Sequence, residues 1–455
     1  MWNKHKLKIA IPVIRLNILT NIKSLMIHII IYYKQIGNTT CLFANDSNYV
    51  NFEAITDPKK MKFKHIVLML AISVAAFTSK AQDSLVNSLK NNHSVNSKSG
   101  FTFTTVIDLA NTSIKNQGSS GTCWSYSTNS FLESEMIREG KKPLDLSQLY
   151  SARCAYIEKG INYVRMHGAV SLGDGGEPHD VINMFRKYGA MPQINYTGLT
   201  YGSTRNNFGE LDAMMEAMLK VVVSNPNGEL SKNWLPAYTA AIDAYLGQVP
   251  TSFDYMGKTY TPQTFAKDVV GINPDDYVEF SSENDHPFYE KYTLLVPDNW
   301  EYAQVYNIKV NDITDIIDNA LKNGYTVAWG ADVSEKYFSW TNGVAYVPEK
   351  EVKDMTKDEV NQMFNGPKPE LDITPEVRQA AFDNYNTTDD HGMHIVGLAK
   401  DQSGKEYYIV KNSWGQSNDY KGYLYVTKAY VQYKTTAILL NKNGVLKDIR
   451  KKTGI

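Results

Sequence analysis

Cysteine is scarce: 3 residues in 455, an odd number. A fold stapled by disulfides is therefore excluded, and at least one thiol is left unpaired. A clean apolar run long enough for a membrane helix, about 20 residues, is missing too. The Ile-rich stretch near the start is broken by Pro12, Arg15, Asn17, Asn21 and Lys23, and the run Ile66 to Phe77 is too short. No internal repeat is visible, and neither sign of charge dominates, with 47 Lys+Arg against 48 Asp+Glu. What is present is 43% hydrophobic, 21% charged and 12% aromatic sequence, a globular composition. The length allows one large domain or two to three ordinary ones. Thirty tyrosines fit a core and a binding cleft equally.

The balanced charge averages two unlike parts. Residues 1–81 hold 11 Lys+Arg against 3 Asp+Glu, and residues 82–455 hold 36 against 45, a net of −9. Within the basic part, Met61 opens a secretory signal pattern: Lys62 and Lys64, then the apolar run, then Ser79-Lys80-Ala81 as a small-x-small cleavage site. No lipid-accepting Cys follows. The expectation is a signal peptide over 61–81, cleavage near Ala81-Gln82, and an exported (periplasmic or extracellular) protein without a stable membrane anchor. Residues 1–60 read as an upstream extension from a misassigned start; the alternative is a genuine leader. Residues 82–100 are Ser/Asn-rich and read as a flexible arm.

Beyond residue 100 the spacing predicts helices over 148–165 and 178–188, separated by Gly173-Asp174-Gly175-Gly176. Segment 207–247 reads as two helices, with Leu211, Met214, Met215, Met218 and Leu219 as a core stripe. A further helix spans 312–323, with Ile313, Ile316, Ile317 and Ala320 on one face and Gly324 ending it. Strands are predicted at 327–332, 391–398, 407–411 and 423–426. Helices first and strands last make an α+β fold class.

The chemistry concentrates in three places. Gln117-Gly118-Ser119-Ser120-Gly121-Thr122-Cys123-Trp124 is a Gly/Ser-rich loop running into a helix that would start at Cys123. A thiol there meets the positive end of the helix dipole, which favours thiolate. The Gln117 amide and the Cys123 backbone N–H could together form an oxyanion hole. Alone, this loop is equally compatible with a small buried thiol. His391 opens a strand in Asp389-Asp390-His391-Gly392-Met393-His394, and Asn412-Ser413-Trp414-Gly415 closes another.

A Cys, a His and an Asn in this order, with Gly175-Gly176 between, resemble the papain-like cysteine peptidases. Ser120 stands where that family carries a disulfide Cys. His391 lies 268 residues after Cys123 and Asn412 lies 289 after it, against about 130–150 in the family signature. The missing disulfide and the large insertions, about 200–310 and 350–387, are similar to the bleomycin hydrolase / aminopeptidase C branch. Leu146-Ser147-Gln148-Leu149-Tyr150 and Val327-Ala328-Trp329-Gly330-Ala331-Asp332 carry the same likeness. The resemblance covers residues 101–455 and implies a two-lobed fold, a helical lobe plus a β-barrel-like lobe, with large helical insertions.

It also implies roles: Cys123 as nucleophile, His391 as general base and acid, Asn412 as the group orienting the imidazole, Gln117 as oxyanion donor. Gly175, Gly176, Trp414 and Ile455 would bind or shield substrate, Ile455 through a C-terminal arm, 441–455, whose carboxylate meets the substrate's amine. The implied activity is an exported aminopeptidase acting on peptide substrates, without cofactor or metal, assembled as a homo-oligomer, a hexamer. An endopeptidase of the same fold and a non-catalytic peptide-binding protein are the alternatives. Nucleic acid is not expected as a partner, because residues 82–455 are net negative. Asp389, Asp390, His391 and His394 do not read as a metal cluster, since side chains alternate along a strand. His394 reads as packing or surface, His167, His179 and His286 as ordinary polar residues, and Cys154 as a buried structural thiol.

Overall fold

In the computed structural model of the protein, residues 100–455 are described. The chain divides into two units, Met1–Ile72 and Ser73–Ile455, and every described residue belongs to the second. The expected upstream extension, the signal segment and residues 82–99 of the arm lie outside the described residues. Gly100, the last residue of that arm, is pinned: its N–H donates to Phe364 O and its carbonyl accepts from Gln402 Nε2.

Local punctuation sets the helical lobe. Helix α1 (Cys123–Arg138) is followed by α2 (Gln148–Arg165), which begins where the Ser147 hydroxyl accepts the Tyr150 N–H. Helix α3 (Pro178–Tyr188) opens on proline and stops at Gly189, where φ is +80°. Helices α4 (Gly209–Ser224) and α5 (Trp234–Leu246) pack on each other and on α2. Of the predicted α4 stripe, Leu211, Met215 and Leu219 are buried and Met214 is 44% exposed, because only one narrow side of α4 meets the body. Phe131, Leu149, Tyr156, Val181 and Tyr238 join these helices in one core.

The strands are β1 (Phe103–Asp108), β2 (Phe253–Tyr255), β3 (Lys258–Tyr260), β4 (Tyr277–Ser281), β5 (Lys291–Thr293), β6 (Gln304–Asn307), β7 (Val327–Ala331), β8 (Phe338–Ser339), β9 (Val344–Ala345), β10 (His391–Asp401), β11 (Glu406–Lys411), β12 (Tyr423–Thr427) and β13 (Thr435–Asn441). Among the described residues, all but the β2–β3 hairpin form one eleven-stranded sheet, ordered β5-β6-β4-β13-β7-β10-β11-β12-β9-β8, with β1 also paired to β10. The expected insertion over 200–310 is therefore helical only in its first half; β4, β5 and β6 extend the sheet through β13. Helix α6 (Val310–Lys322) lays the fully buried Ile313, Ile316, Ile317 and Ala320 on the sheet core with Phe280, Trp329 and Tyr408. Helix α7 (Pro375–Asp383), from the second insertion, is tied to the sheet lobe by Arg378, whose guanidinium donates to the carbonyls of Ser282, Gln432 and Thr435. Helices α8 (Lys428–Lys434) and α9 (Lys447–Thr453) complete this lobe.

Two registers position the chemistry. His391, first in β10, pairs with Ala331, last in β7. His394 of β10 pairs with Lys411 of β11, so the start of β10 and the residue just past β11, Asn412, share one end of the sheet. Helix α1 packs across β10 at that end.

Candidate active site

Cys123 is the first residue of α1, and the loop before it is held rigid. Gly118 has φ +62°, and a Cβ there would lie 2.5 Å from Asn206 O, so only glycine fits. Ser120 Oγ donates to Gln117 O at 2.7 Å, and the Gly121 N–H is taken by the Asp174 carboxylate. The strand and helix then meet closely: a Cβ on Gly392 would lie 3.0 Å from Trp124 Cα. The residue after His391 thus packs against the residue after Cys123.

His391 and Asn412 are both 3% exposed. His391 Nε2 and Asn412 Oδ1 are 2.8 Å apart, and Asn412 Oδ1 also accepts the Ser413 N–H at 2.6 Å. An amide oxygen can only accept, so this contact puts the proton of a neutral imidazole on Nε2 and makes Nδ1 the basic nitrogen. The Trp414 ring lies 4.5 Å from the His391 ring and is backed by Trp340 at 5.3 Å and Phe338 at 6.2 Å. These rings keep water from the His–Asn contact. Trp340 and Phe338 carry no sequence signal of this role, since only the fold brings them to Trp414.

Gln117 is fully buried. Its Oε1 accepts from Ser413 Oγ at 2.6 Å, its Nε2 donates to Ser120 O at 2.7 Å, and its backbone N–H donates to Ser413 O. The oxyanion candidate is therefore clamped to the segment that carries Asn412. A primary amide has two N–H bonds, so one remains beyond the Ser120 contact.

The thiol itself departs from expectation. Burial pushes the Cys123 thiol well above its ordinary range; Asp298 and Asp389 add repulsion, and backbone hydrogen bonds from Gly392 and Trp124 offset only part of this. At this buried helix start, loss of water opposes the thiolate that the dipole favours. Cys154 is buried as predicted, and burial raises it to about 12.

Gly176 lies flat on the Trp124 indole, where a Cβ would approach to 2.9 Å, and no hydrogen bond within the described residues engages its backbone. Gly175 differs: its carbonyl is taken by Lys159 Nζ, and the Asp298 carboxylate occupies the face where a Cβ would point. Asp298 had no signal in the sequence, as it arrives from a loop distant along the chain. Ile455 is not brought to this group. Residues 447–453 form α9, with Ile449 buried, and Ile455 packs against the core of the sheet lobe. Among the described residues no contact joins it to Cys123, His391 or Asn412. Several apolar residues, Val445, Leu446 and Ile449, draw the arm onto the core of the sheet lobe instead.

Of the remaining histidines, His394 takes the packing place rather than the surface one, and His179 is more than an ordinary polar residue. His394 is fully buried against Ser130 Oγ at 3.0 Å, and burial with nearby Lys411 holds it neutral, well below its usual range. Burial opposes a charge on His179, but Glu279 at 2.7 Å, with Asp180 and Glu301 behind, overcomes it and holds His179 at about 9. Asp390 Oδ1 accepts the Val333 N–H and His394 points to α1, so the residues around His391 do not converge as metal ligands. Ligand atoms do converge within 4.8 Å at His179, Asp180 and Glu301, and at Glu283, Asp285 and His286. In the first group His179 is committed to Glu279.

Residues 105–244 match the family model described as papain family cysteine protease, and residues 252–454 match the peptidase C1-like family. Aminopeptidase C of Lactobacillus delbrueckii subsp. lactis is 24% identical, the match covering 89% of this chain and 94% of that protein. Cysteine proteinase 1, mitochondrial, of Saccharomyces cerevisiae is 22% identical over 82% of each. The crystal structure of PepW from Lactobacillus rhamnosis shares the fold, with a TM-score of 0.62 and 20% identity over 87% of this chain and 96% of that one. With both lobes matched and a Cys, a His and an Asn gathered at one end of the sheet, the chain belongs to the papain-like cysteine peptidases.

Proposed function

We propose that this cysteine peptidase, aminopeptidase-like in its relatives, removes N-terminal residues from peptides through Cys123, His391 and Asn412. The observation that carries the reading is the buried His391–Asn412 contact under Trp414, at the sheet end where Gly392 meets Trp124. His391 Nδ1 takes the proton of the Cys123 thiol, and the sulfur attacks the substrate carbonyl. The carbonyl π electrons move to oxygen, and the Gln117 amide and the Cys123 N–H stabilise that charge. The C–N bond then breaks as His391 returns the proton to the leaving amine. Water, deprotonated by His391, attacks the thioester and releases the acid and the free thiol. Asn412 keeps the imidazole oriented through both steps.

Removal of single residues rests on relatives named aminopeptidase C, G, E and W. Export is supported by the signal pattern over 61–81. The test is turnover of aminoacyl amides against their N-acetyl counterparts. Higher kcat/KM on the free amine is expected. Preference for blocked, longer substrates would favour the endopeptidase alternative, and no turnover of either, with an inert Cys123, would favour a non-catalytic peptide binder.

A further inference from the structure

The first turn of α3 brings His179 and Asp180 to the loop that carries Trp300 and Glu301, with ligand atoms of His179, Asp180 and Glu301 within 4.8 Å of one another. Burial sets this group apart from an ordinary charged cluster. His179 is 8% exposed and Asp180 fully buried. Among the described residues, neither His179 Nε2 nor Asp180 Oδ1 has a hydrogen-bond partner. The two atoms stand 3.7 Å apart, too far for a hydrogen bond. Buried polar atoms are nearly always paired, so two that converge without a hydrogen bond call for an explanation.

The other polar atoms of both side chains are already spent. Glu279 Oε2 lies 2.7 Å from His179 Nδ1. A carboxylate accepts, so Nδ1 carries the proton and the lone pair of a neutral ring sits on Nε2. Asp180 Oδ2 accepts the Trp300 Nε1–H and the Glu177 N–H, each at 2.9 Å. Both commitments turn the remaining atoms, Nε2 and Oδ1, toward one point. A carboxylate on one ring nitrogen with the other nitrogen free is the arrangement that orients a metal-bound imidazole and raises its basicity.

The spacing suits a small divalent cation. Zinc holds imidazole nitrogen and carboxylate oxygen at about 2.0–2.2 Å, so two ligands at a tetrahedral angle stand about 3.3–3.6 Å apart. Nε2 and Oδ1, at 3.7 Å, are close to that. Glu301 is half-buried and is the member that solvent reaches. Asn183 Nδ2 holds its Oε2 at 2.7 Å, and Oε1 can turn inward. One nitrogen with two oxygens favours zinc over calcium or magnesium, which take oxygen alone. In the metal-free protein a proton holds Nε2 and the charged ring lies between Glu279 and Asp180; a bound cation takes that proton's place.

We propose that His179 Nε2, Asp180 Oδ1 and a Glu301 oxygen bind a zinc ion, with Glu279 orienting the imidazole and water completing the coordination. The ion fastens the Trp300–Glu301 loop to the first turn of α3. Asp180 Oδ2 also lies 2.6 Å from where a Cβ on Gly176 would point, so the same ion stiffens the glycine that rests on Trp124. The site uses none of Cys123, His391 and Asn412 and does not depend on the aminopeptidase reading.

The test uses the full chain carrying Cys123→Ala, because a thiol beside an imidazole is itself a zinc ligand set. This parent is stripped with chelator and titrated with zinc chloride by calorimetry, and bound zinc is counted by mass spectrometry. The expected result is a zinc ion that His179→Ala abolishes and Glu279→Gln weakens about 10- to 100-fold. The melting temperature should rise on zinc addition in the parent and not in His179→Ala. His286→Ala, in the other converging group, should leave that ion bound. Zinc affinity that survives both His179→Ala and Glu301→Gln would overturn the assignment. So would zinc that only His286→Ala removes, or a parent that takes up no zinc at micromolar concentration. If His179→Ala fails to fold, Glu301→Gln decides, and unchanged affinity there overturns the site.

Discussion

Replacing Asn412 by alanine removes one oxygen that serves two buried donors, His391 Nε2 at 2.8 Å and the Ser413 N–H at 2.6 Å. Each donor left without a partner costs about 1–3 kcal/mol, so Asn412→Ala should destabilise the fold by about 2–6 kcal/mol. The kinetic consequence is narrower. Only the His391 contact strengthens as the ring gains charge, and a hydrogen bond to a charged group is worth about 1.5–3 kcal/mol, or about 10- to 150-fold in rate. Trp414, at 2% exposure, keeps bulk water from replacing the oxygen, which favours the upper part of that range. The expected result is a kcat lowered about 10- to 150-fold with KM within about threefold, because the amide acts on the imidazole rather than on the substrate. Steady-state hydrolysis of leucyl-aminomethylcoumarin, at a temperature where the variant is shown to be folded, reads both parameters. A folded variant with kcat within threefold of wild type would refute the role assigned to Asn412, as would a loss carried entirely by KM.

The other predictions concern pH, assembly and processing. Glu177 keeps a proton up to about 8 in the folded protein against 4.5 unfolded, so its contribution is lost as pH rises between those values. His179, held at about 9 against 6.5, contributes an ion pair that is complete below 6.5 and lost toward 9. The melting temperature should therefore fall from pH 5 to pH 9, with Glu177→Gln flattening the lower part of the slope; a rising profile would contradict both assignments. Light scattering should give a hexamer, and Val221→Asp, at a 63% exposed apolar position on α4, should weaken it if that face is the contact; monomer alone at micromolar concentration removes the expectation. N-terminal sequencing of the protein from its native host should begin near Gln82, and retention of residues 1–60 would overturn the signal-peptide reading.

Local chemistry made much of this molecule readable in advance. Helices α2 and α3 start and stop where Ser147, Pro178 and Gly189 say they should, and α6 shows its buried face in the spacing of Ile313, Ile316, Ile317 and Ala320. His391 and Asn412 were legible through the resemblance of the Cys, His and Asn order to a known family, and the sheet places both at one rim. What stayed hidden depends on distant pairing. Strand β1 has a mostly exposed face and no strong alternation, so it declares itself only through β10. Strands β4 to β6 lie inside the expected insertion, where three short segments among Pro and Gly turns carry too little periodicity to place each strand or its partner. The raised Cys123 thiol could not be anticipated either, because its burial and the approach of Asp298 come from loops far apart along the chain. The same holds for the C-terminus: resemblance placed Ile455 at the cleft, and the apolar face of α9 takes it to the core of the sheet lobe.

The central claim is that Cys123 is the nucleophile, and the direct measurement is peptide hydrolysis by Cys123→Ala beside the wild type, together with the sites of iodoacetamide modification in the native wild-type protein. The account predicts a folded variant with no detectable hydrolysis, and wild-type activity that disappears in step with alkylation of Cys123 while Cys154, buried at 2% exposure, stays unmodified. Hydrolysis retained by Cys123→Ala, or activity that persists after Cys123 is fully alkylated, would contradict it.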